Sequence, residues 1–163
     1  MHIKLKNKKL YLNDYKIKCA IGKTGILKQK KEGDLATPKG NYSFIRLLYR
    51  KDRVKNLISK LKKIPIKRNM GWCDDVESNQ YNKLIRFPFK YGAEKLYRKD
   101  NMYDIILVIS YNTNPVKKNK GSAIFIHIAK KNYSATKGCI AIKRNDIKKL
   151  VREINRKTVV KIL

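Results

Sequence analysis

The most informative stretch of this chain is residues 125–142, which read FIHIAKKNYSATKGCIAI. It starts inside a strongly β-prone run, residues 121–128, in which His127 is the only ionisable side chain. Residues 136–138, Thr-Lys-Gly, then break the pattern immediately before Cys139. We therefore predict a thiol at the mouth of a β-strand, beside flexible backbone whose N–H groups are able to hold an oxyanion.

His127 and Cys139 form a candidate pair of base and nucleophile. They lie close together in the sequence, and the other histidine, His2, lies at the extreme N-terminus. A thiol acts as a nucleophile at neutral pH when a neighbouring group takes its proton, and a neutral imidazole is the commonest such group. The alternative is a buried cysteine and a satisfied core histidine. The polar turn at residues 110–115 and the break before Cys139 favour the catalytic interpretation.

The segment resembles the active-site signature of the L,D-transpeptidase catalytic domain (YkuD-type) family. In that signature a histidine is followed, after a loop, by Ser or Thr, any residue, Gly and the nucleophilic Cys. The residues that match are His127, Thr136, Gly138 and Cys139. Residues 33–42 are similar to the family's Thr-Pro-x-Gly-x-aromatic turn, so the resemblance extends well beyond the site.

The resemblance implies a mainly β fold, a β-sandwich-like catalytic domain with one or two peripheral helices, which spans residues 1–163 as a single domain. It implies that Cys139 attacks a peptide carbonyl while His127 accepts the thiol proton. The main-chain N–H groups of Gly138 and Cys139 are expected to hold the oxyanion. The main-chain carbonyl of Ile128 is expected to orient the imidazole.

The implied substrates are peptidoglycan stem peptides. A tetrapeptide donor would form a thioester, and a diaminopimelate amine would resolve it to give a 3-3 cross-link. The candidate substrate-binding residues are Thr136, Lys137, Tyr111, Asn112 and Trp72. No cofactor is implied, and the cysteines lack the spacing of a metal site. Trp72 and the other aromatic residues of segment 65–103 are alternatively the cover of a sheet face.

Two positions depart from the family pattern. Many members have histidine where this chain has Lys137, and arginine where it has Ala141. An arginine clamps a carboxylate with two hydrogen bonds, whereas alanine makes none. We expect Lys137, Lys143 or Arg144 to supply the missing positive charge.

The charge balance is strongly basic, with 41 Lys plus Arg against 12 Asp plus Glu and a formal net charge of +29. Such an excess attracts nucleic acid or an anionic wall polymer. The lysines are scattered as pairs such as Lys8-Lys9 and Lys30-Lys31, with no basic arm or tail. We therefore expect a solvated surface that favours an anionic wall polymer over nucleic acid, on a protein that acts as a monomer.

The remaining pattern predicts mostly strands: residues 3–5, 9–12, 15–21, 41–49, 104–111, 122–128 and 158–163. Residues 52–63 have helical spacing before Pro65, and Asn145 is the predicted N-cap of a helix with apolar residues Ile147, Leu150, Val151 and Ile154. The first ten residues alternate apolar and basic side chains, which predicts a strand and not a signal peptide. No apolar run reaches the length of a transmembrane helix. The resemblance nevertheless implies the periplasm or cell envelope, with the cytoplasm as the alternative.

Three other functions stay open at this stage. Water in place of the amine would make the same site an L,D-carboxypeptidase or another cysteine amide hydrolase. The changes at Lys137 and Ala141 are compatible with a catalytically inactive wall-binding domain. A basic nucleic-acid-binding module would require lysines and tyrosines clustered on one face. Cys19 and Cys73 allow at most one disulfide if Cys139 stays free, and reduced thiols are the simpler expectation.

Overall fold

The computed structural model describes residues 2–163, with side chains from Ile3 onward. These residues form a mainly β structure with a single α-helix, α1 (Arg144–Glu153). The strands are β1 (His2–Lys6), β2 (Lys9–Leu12), β3 (Tyr15–Ala20), β4 (Ile26–Leu27), β5 (Thr37–Pro38), β6 (Gly40–Tyr49), β7 (Lys63–Pro65), β8 (Met70–Cys73), β9 (Leu84–Arg86), β10 (Ala93–Lys95), β11 (Ile105–Ile109), β12 (Phe125–Ile128), β13 (Ile140–Ile142) and β14 (Val159–Ile162).

The main sheet has the strand order β11-β12-β13-β3-β2-β1-β14-β6-β7. The long strand β6 also pairs with β11, so the sheet closes on itself around one core. Where the outer face of a strand is exposed, alternate side chains point inward, as the period of a β-strand requires, whereas β11 and β12 are buried along their whole length. In β1, for example, Ile3 and Leu5 are fully buried while Lys4 is exposed. The predicted mainly β architecture is therefore confirmed.

A second sheet covers the back of β11 and β12. Its strands have the order β10-β8-β9. Its apolar residues, which include Met70 and Trp72, share a buried cluster with Phe125 of β12. The Trp72 and Phe125 rings meet edge to face, with centroids 5.2 Å apart. This sheet supports the strand that carries His127, which makes it part of the wall behind the site.

The prediction of a helix over residues 52–63 is wrong. The segment consists of turns and bends and leads into β7, which pairs in parallel with β6. Val54, Leu57 and Leu61 are buried, but Ile58 is 64% exposed, so the side chains do not form one helical face. Tertiary burial of three side chains and pairing with β6 override the local helical spacing in this segment.

The helix α1 lies close to its predicted position but begins differently. Its N-cap is Lys143, without a side-chain cap hydrogen bond, so the prediction that Asn145 caps the helix is wrong. Ile147, Leu150 and Val151 are buried as the pattern predicted, while Ile154 is the C-cap residue. Within residues 2–163, no helix has the length and apolar character that crossing a membrane requires. All three cysteines are free.

Candidate active site

His127 and Cys139 meet at neighbouring parallel strands. His127 lies in β12, opposite Ala141 of β13, and Cys139 immediately precedes β13. Both residues line a cavity of about 510 Å³. Its other lining residues include the carboxylates Glu32, Asp74 and Glu94, the cations Arg98, Lys130 and Lys137, and Tyr103, Thr136 and Ala141. The predicted base and the predicted nucleophile therefore share one pocket.

The imidazole of His127 is buried and oriented by its own strand. Its Nδ1 lies 3.0 Å from the main-chain carbonyl oxygen of Ile128. Because a carbonyl only accepts, Nδ1 carries the proton and Nε2 is the basic nitrogen. The ring of Tyr103 packs edge to face against the imidazole, with centroids 5.3 Å apart. Burial lowers the pKa of His127 from 6.5 to about 4, so the imidazole is neutral at physiological pH.

The thiol of Cys139 is protonated in its resting position. It donates to the carbonyl oxygen of Ala123 at 3.1 Å, and the N–H of Phe125 lies 3.4 Å from the sulfur. Burial of the thiol raises its pKa from 9.0 to about 12, with a further contribution from the charge of Glu94, although the residue keeps part of its surface exposed. A neutral thiol thus shares the pocket with a neutral imidazole, and the thiol proton points to Ala123.

A network of threonine hydroxyls fixes the turn before the thiol. Thr136 Oγ1 accepts the N–H of Gly138 at 3.1 Å and donates to the carbonyl of Cys139 at 2.6 Å. Thr37 Oγ1 donates to the carbonyl of Gly138 at 2.8 Å and accepts the N–H of Gly22 at 2.9 Å. The N–H of Gly138, which we predicted to face the oxyanion, is therefore directed at Thr136.

Glycine is required at position 138 for two reasons. Its φ is +136°, a conformation that residues with a side chain rarely adopt. A Cβ there would also lie 2.7 Å from the carbonyl oxygen of Ala36. The same carbonyl accepts a hydrogen bond of 2.6 Å from the ammonium of Lys30, a buried lysine that is paired with Asp34. The loop that carries the Thr-Pro pair thus packs directly against the Gly138–Cys139 turn.

The five predicted substrate-binding residues fall into two groups. Thr136 and Lys137 line the pocket with Cys139, and Lys137 is exposed. Trp72, Tyr111 and Asn112 do not line it. Trp72 is buried, and its Nε1–H donates to Asn82. The side chains of Tyr111 and Asn112 bind main-chain carbonyls of segment 117–121, so they shape the loop before β12.

The cations proposed to replace the family's arginine are also separated. Lys137 lines the pocket, whereas Lys143 and Arg144 do not. Arg144 donates to Asp104 at 2.6 Å, away from the thiol. The sequence interpretation missed Arg98 and Lys130, which line the pocket with Ala141. Arg98 comes from a distant segment, whereas Lys130 lies only three residues after His127, and no motif in the sequence marks either residue.

Asn82 is a further residue that the sequence interpretation missed. Its side chain is buried and makes four hydrogen bonds. Its Oδ1 accepts Trp72 Nε1–H at 2.9 Å and the N–H of Ala123 at 3.0 Å. Its Nδ2 donates to the carbonyls of Tyr111 and Asn112. Asn82 therefore holds the segment whose carbonyl accepts the Cys139 thiol.

No cluster of three or more His, Cys, Asp or Glu side chains within residues 2–163 is arranged to hold a metal ion.

The chain is similar to one protein family and to a solved structure. The family model for the L,D-transpeptidase catalytic domain, YkuD, matches residues 2–162. Among solved structures, the chain is similar to the helical cell shape determining protein Pgp2 from Campylobacter jejuni, with 18% sequence identity and a TM-score of 0.47. That similarity covers 99% of this chain and 46% of the Pgp2 chain, so this chain spans about half its length. No curated protein matches the chain.

Proposed function

Because the chain belongs to the YkuD family of L,D-transpeptidase catalytic domains, we propose that it is a cysteine-dependent L,D-transpeptidase that acts on peptidoglycan stem peptides. The observation that supports this proposal best is the shared pocket of His127 and Cys139. The imidazole is neutral, its Nδ1 is bound to the Ile128 carbonyl, and its Nε2 is the nitrogen left to accept a proton. That is the state a general base requires.

The first half-reaction is attack by the Cys139 sulfur on the carbonyl at the L-centre side of an L,D peptide bond. The thiol turns from the Ala123 carbonyl towards His127, because its resting hydrogen bond leads away from the base. Nε2 accepts the proton as the C–S bond forms. The imidazolium then gives this proton to the departing D-amino acid as the C–N bond breaks.

The oxyanion of the tetrahedral intermediate requires a positioned donor. The N–H of Gly138 is engaged by Thr136, so we assign this role to the N–H of Cys139. The carbonyl of Cys139 is held by Thr136, and that of Gly138 by Thr37. The Gly138 carbonyl and the Cys139 N–H belong to one planar peptide, so holding that carbonyl orients the N–H, while the Thr136 hydrogen bond fixes the peptide that follows.

The second half-reaction consumes the thioester. A neutral amine of an acceptor stem attacks the thioester carbonyl, and the C–S bond breaks as the new C–N bond forms. His127 accepts the proton that the amine loses and passes it to the departing sulfur. With a diaminopimelate side-chain amine as acceptor, the product is a 3-3 cross-link. Carboxylates of the pocket, Asp74 and Glu94, favour the approach of a cationic acceptor, and Lys137 favours a carboxylate of the donor.

Hydrolysis is the second candidate outcome at the same site. Cys139 keeps part of its surface exposed, so water is able to reach a thioester formed there. An enzyme that transfers mainly to water is an L,D-carboxypeptidase. On either outcome the substrate belongs to the cell wall, and we propose the cell envelope as the place of action.

Mass spectrometry of purified stem tetrapeptides incubated with the enzyme tests this proposal. A cross-linked dimer identifies transfer, a tripeptide identifies hydrolysis, and unchanged tetrapeptide identifies neither. Cys139→Ser is expected to abolish both products. Cys73→Ser is the matched control, because Cys73 is buried outside the pocket and the variant keeps the nucleophile. Equal loss of product in both variants would contradict the assignment of Cys139.

A further inference from the structure

Lysine side chains cover the outer face of four adjacent strands, in the order β3-β2-β1-β14. In each of these strands the apolar residues turn inward and the lysines turn outward. We define the lysine face by its six exposed members: Lys4, Lys6, Lys9, Lys16, Lys18 and Lys161. The four strands contain no aspartate or glutamate. Lysines that look scattered in the sequence are therefore concentrated on one surface by strand pairing.

The register of the sheet places like charges next to one another. Lys4 is the direct partner of Lys161, and Lys9 is paired with both Lys6 and Lys18. Neighbouring strands are about 4.8 Å apart, and like charges on directly paired residues destabilise a sheet. Among residues 2–163, none of the six lysines forms an ion pair with a carboxylate of the chain. An external anion would relieve this repulsion.

The lysine face is continuous with the catalytic pocket. Lys9, Lys16 and Lys18 line a groove of about 790 Å³ that extends to Ala135. Ala135 also lines the pocket of Cys139. The structural link is short, because β3 pairs with β13 directly after the nucleophile. A polymer bound along the face is thus able to reach the thiol with one of its branches.

The face has the features of a site that binds anions by charge. It lacks those of a site that stacks nucleic-acid bases or inserts into a membrane. Its aromatic residue is Tyr11, half-buried between Lys4 and Lys16 in the strand register, and Tyr133 lies in the adjoining groove. Lysines of the face cover both rings, with Lys16 Nζ 5.8 Å from the Tyr11 centroid and Lys18 Nζ 4.7 Å from the Tyr133 centroid. Proteins that bind single-stranded nucleic acid stack successive bases on several aromatic side chains. A second cavity, of about 850 Å³, is lined by Lys4, Tyr11 and Lys161 together with one carboxylate, Asp14 of the turn between β2 and β3. It makes the surface concave, which suits a chain better than a flat bilayer.

We propose that the lysine face binds the carboxylates of the peptidoglycan polymer, on stem peptides that neighbour the one in the catalytic pocket. This inference rests on the proposed function for the identity of the polymer. It adds a second site on the same substrate. Binding at two linked sites raises the effective concentration of the reacting stem at Cys139, so the face matters for the polymer and not for a free stem peptide.

The test uses a triple variant, Lys4→Gln/Lys16→Gln/Lys161→Gln, with the control triple variant Lys51→Gln/Lys55→Gln/Lys60→Gln. The control lysines are also exposed and lie in and near the turns of segment 51–60, outside the face. Both variants lower the net charge equally. The ligand is purified sacculi from which phosphodiester polymers have been removed with hydrofluoric acid, so that stem-peptide carboxylates are the anions present.

The face variant is expected to bind sacculi roughly tenfold more weakly than wild type, because several exposed ion pairs of small individual value are lost. Its binding should also depend less steeply on salt concentration. Turnover of a free stem tetrapeptide and alkylation of Cys139 are expected to be unchanged in both variants. The control variant should bind sacculi like wild type.

Three results would overturn the inference. Equal weakening in both variants would mean that net charge, and not the face, binds the wall. Unchanged sacculus binding in the face variant would show that the polymer docks elsewhere. Loss of RNA binding in the face variant with intact sacculus binding would identify the face as a nucleic-acid site. Sacculus binding is measured without turnover, so it is informative even if wild type fails to process stem peptides, which would be a failure of the proposed function.

Discussion

Replacing Asn82 with glycine is expected to weaken both the fold and the placement of the catalytic thiol. Asn82 has a φ of +56°, which glycine adopts without strain. The substitution therefore removes the side chain without the backbone strain that alanine would have at this positive φ. It leaves Trp72 Nε1–H and the N–H of Ala123 without their acceptor.

The size of the effect follows from the burial of these two donors. Trp72 is 2% exposed, so water does not replace the lost acceptor there. An unpaired buried donor costs about 1–3 kcal/mol, and the Ala123 N–H costs less than Trp72 because Ala123 is partly exposed. We therefore expect the two lost hydrogen bonds together to lower the free energy of unfolding by about 3 kcal/mol. Because Ala123 O accepts the Cys139 thiol, kcat is expected to fall as well.

Urea unfolding at neutral pH measures the first effect, and turnover of stem peptides measures the second. Asn132→Gly is the matched control, because Asn132 is an exposed asparagine that makes a single local hydrogen bond to Ser134 N–H. Its expected loss is within about 0.5 kcal/mol. A loss below about 1 kcal/mol in Asn82→Gly would refute the reasoning that buried donors depend on this side chain.

Three further substitutions have defined outcomes. The folded-state pKa of His127, about 4, lies below its ordinary value of 6.5, so the wild type should lose stability as pH falls from 6.5 towards 4. Thermal unfolding of His127→Asn should show a smaller loss of stability over that pH range. An equal loss in the wild type and the variant would mean that other groups are responsible. Thr37→Val removes a hydroxyl that binds Gly22 and Gly138, and should lower unfolding free energy by about 2 kcal/mol together with kcat; stability and kcat equal to wild type would argue against its role in holding the turn. Lys137→Ala should raise the Michaelis constant for stem peptides about tenfold with little change in the rate of alkylation of Cys139. An unchanged Michaelis constant would mean that Arg98 or Lys130, which line the same pocket, binds the carboxylate instead.

The strands of the closed sheet were predictable because each carries a local signal: apolar and basic residues alternate in β1, and β11 is a continuous run of β-prone apolar residues. Residues 9–12 and 41–49 were predicted as strands, and the structure has β2 and β6 at nearly the same bounds. Alternation is a local property, so a sequence carries it directly. Helical spacing over residues 52–63 was equally local, but the segment forms turns that bury Val54, Leu57 and Leu61 and leave Ile58 exposed.

The site was predictable only where its residues share one motif. His127, Thr136, Gly138 and Cys139 lie within thirteen residues and carry the family signature. Asn82 holds Ala123 and Thr37 holds Gly138 from 57 and 102 residues before the nucleophile, so strand pairing and loop packing alone bring them to the site. The lysine face was not predictable from the sequence either, because its six members come from four strands.

The central claim is that Cys139 carries the acyl group of the donor stem as a thioester. Intact-protein mass spectrometry of acid-quenched enzyme, after brief incubation with a stem tetrapeptide, tests it most directly. The account predicts a mass increase equal to the tripeptide acyl group, and peptide mapping should assign it to Cys139. Cys139→Ala should lack this adduct, and Cys73→Ser should retain it. Turnover without any adduct on Cys139, or the same adduct in Cys139→Ala, would contradict the account.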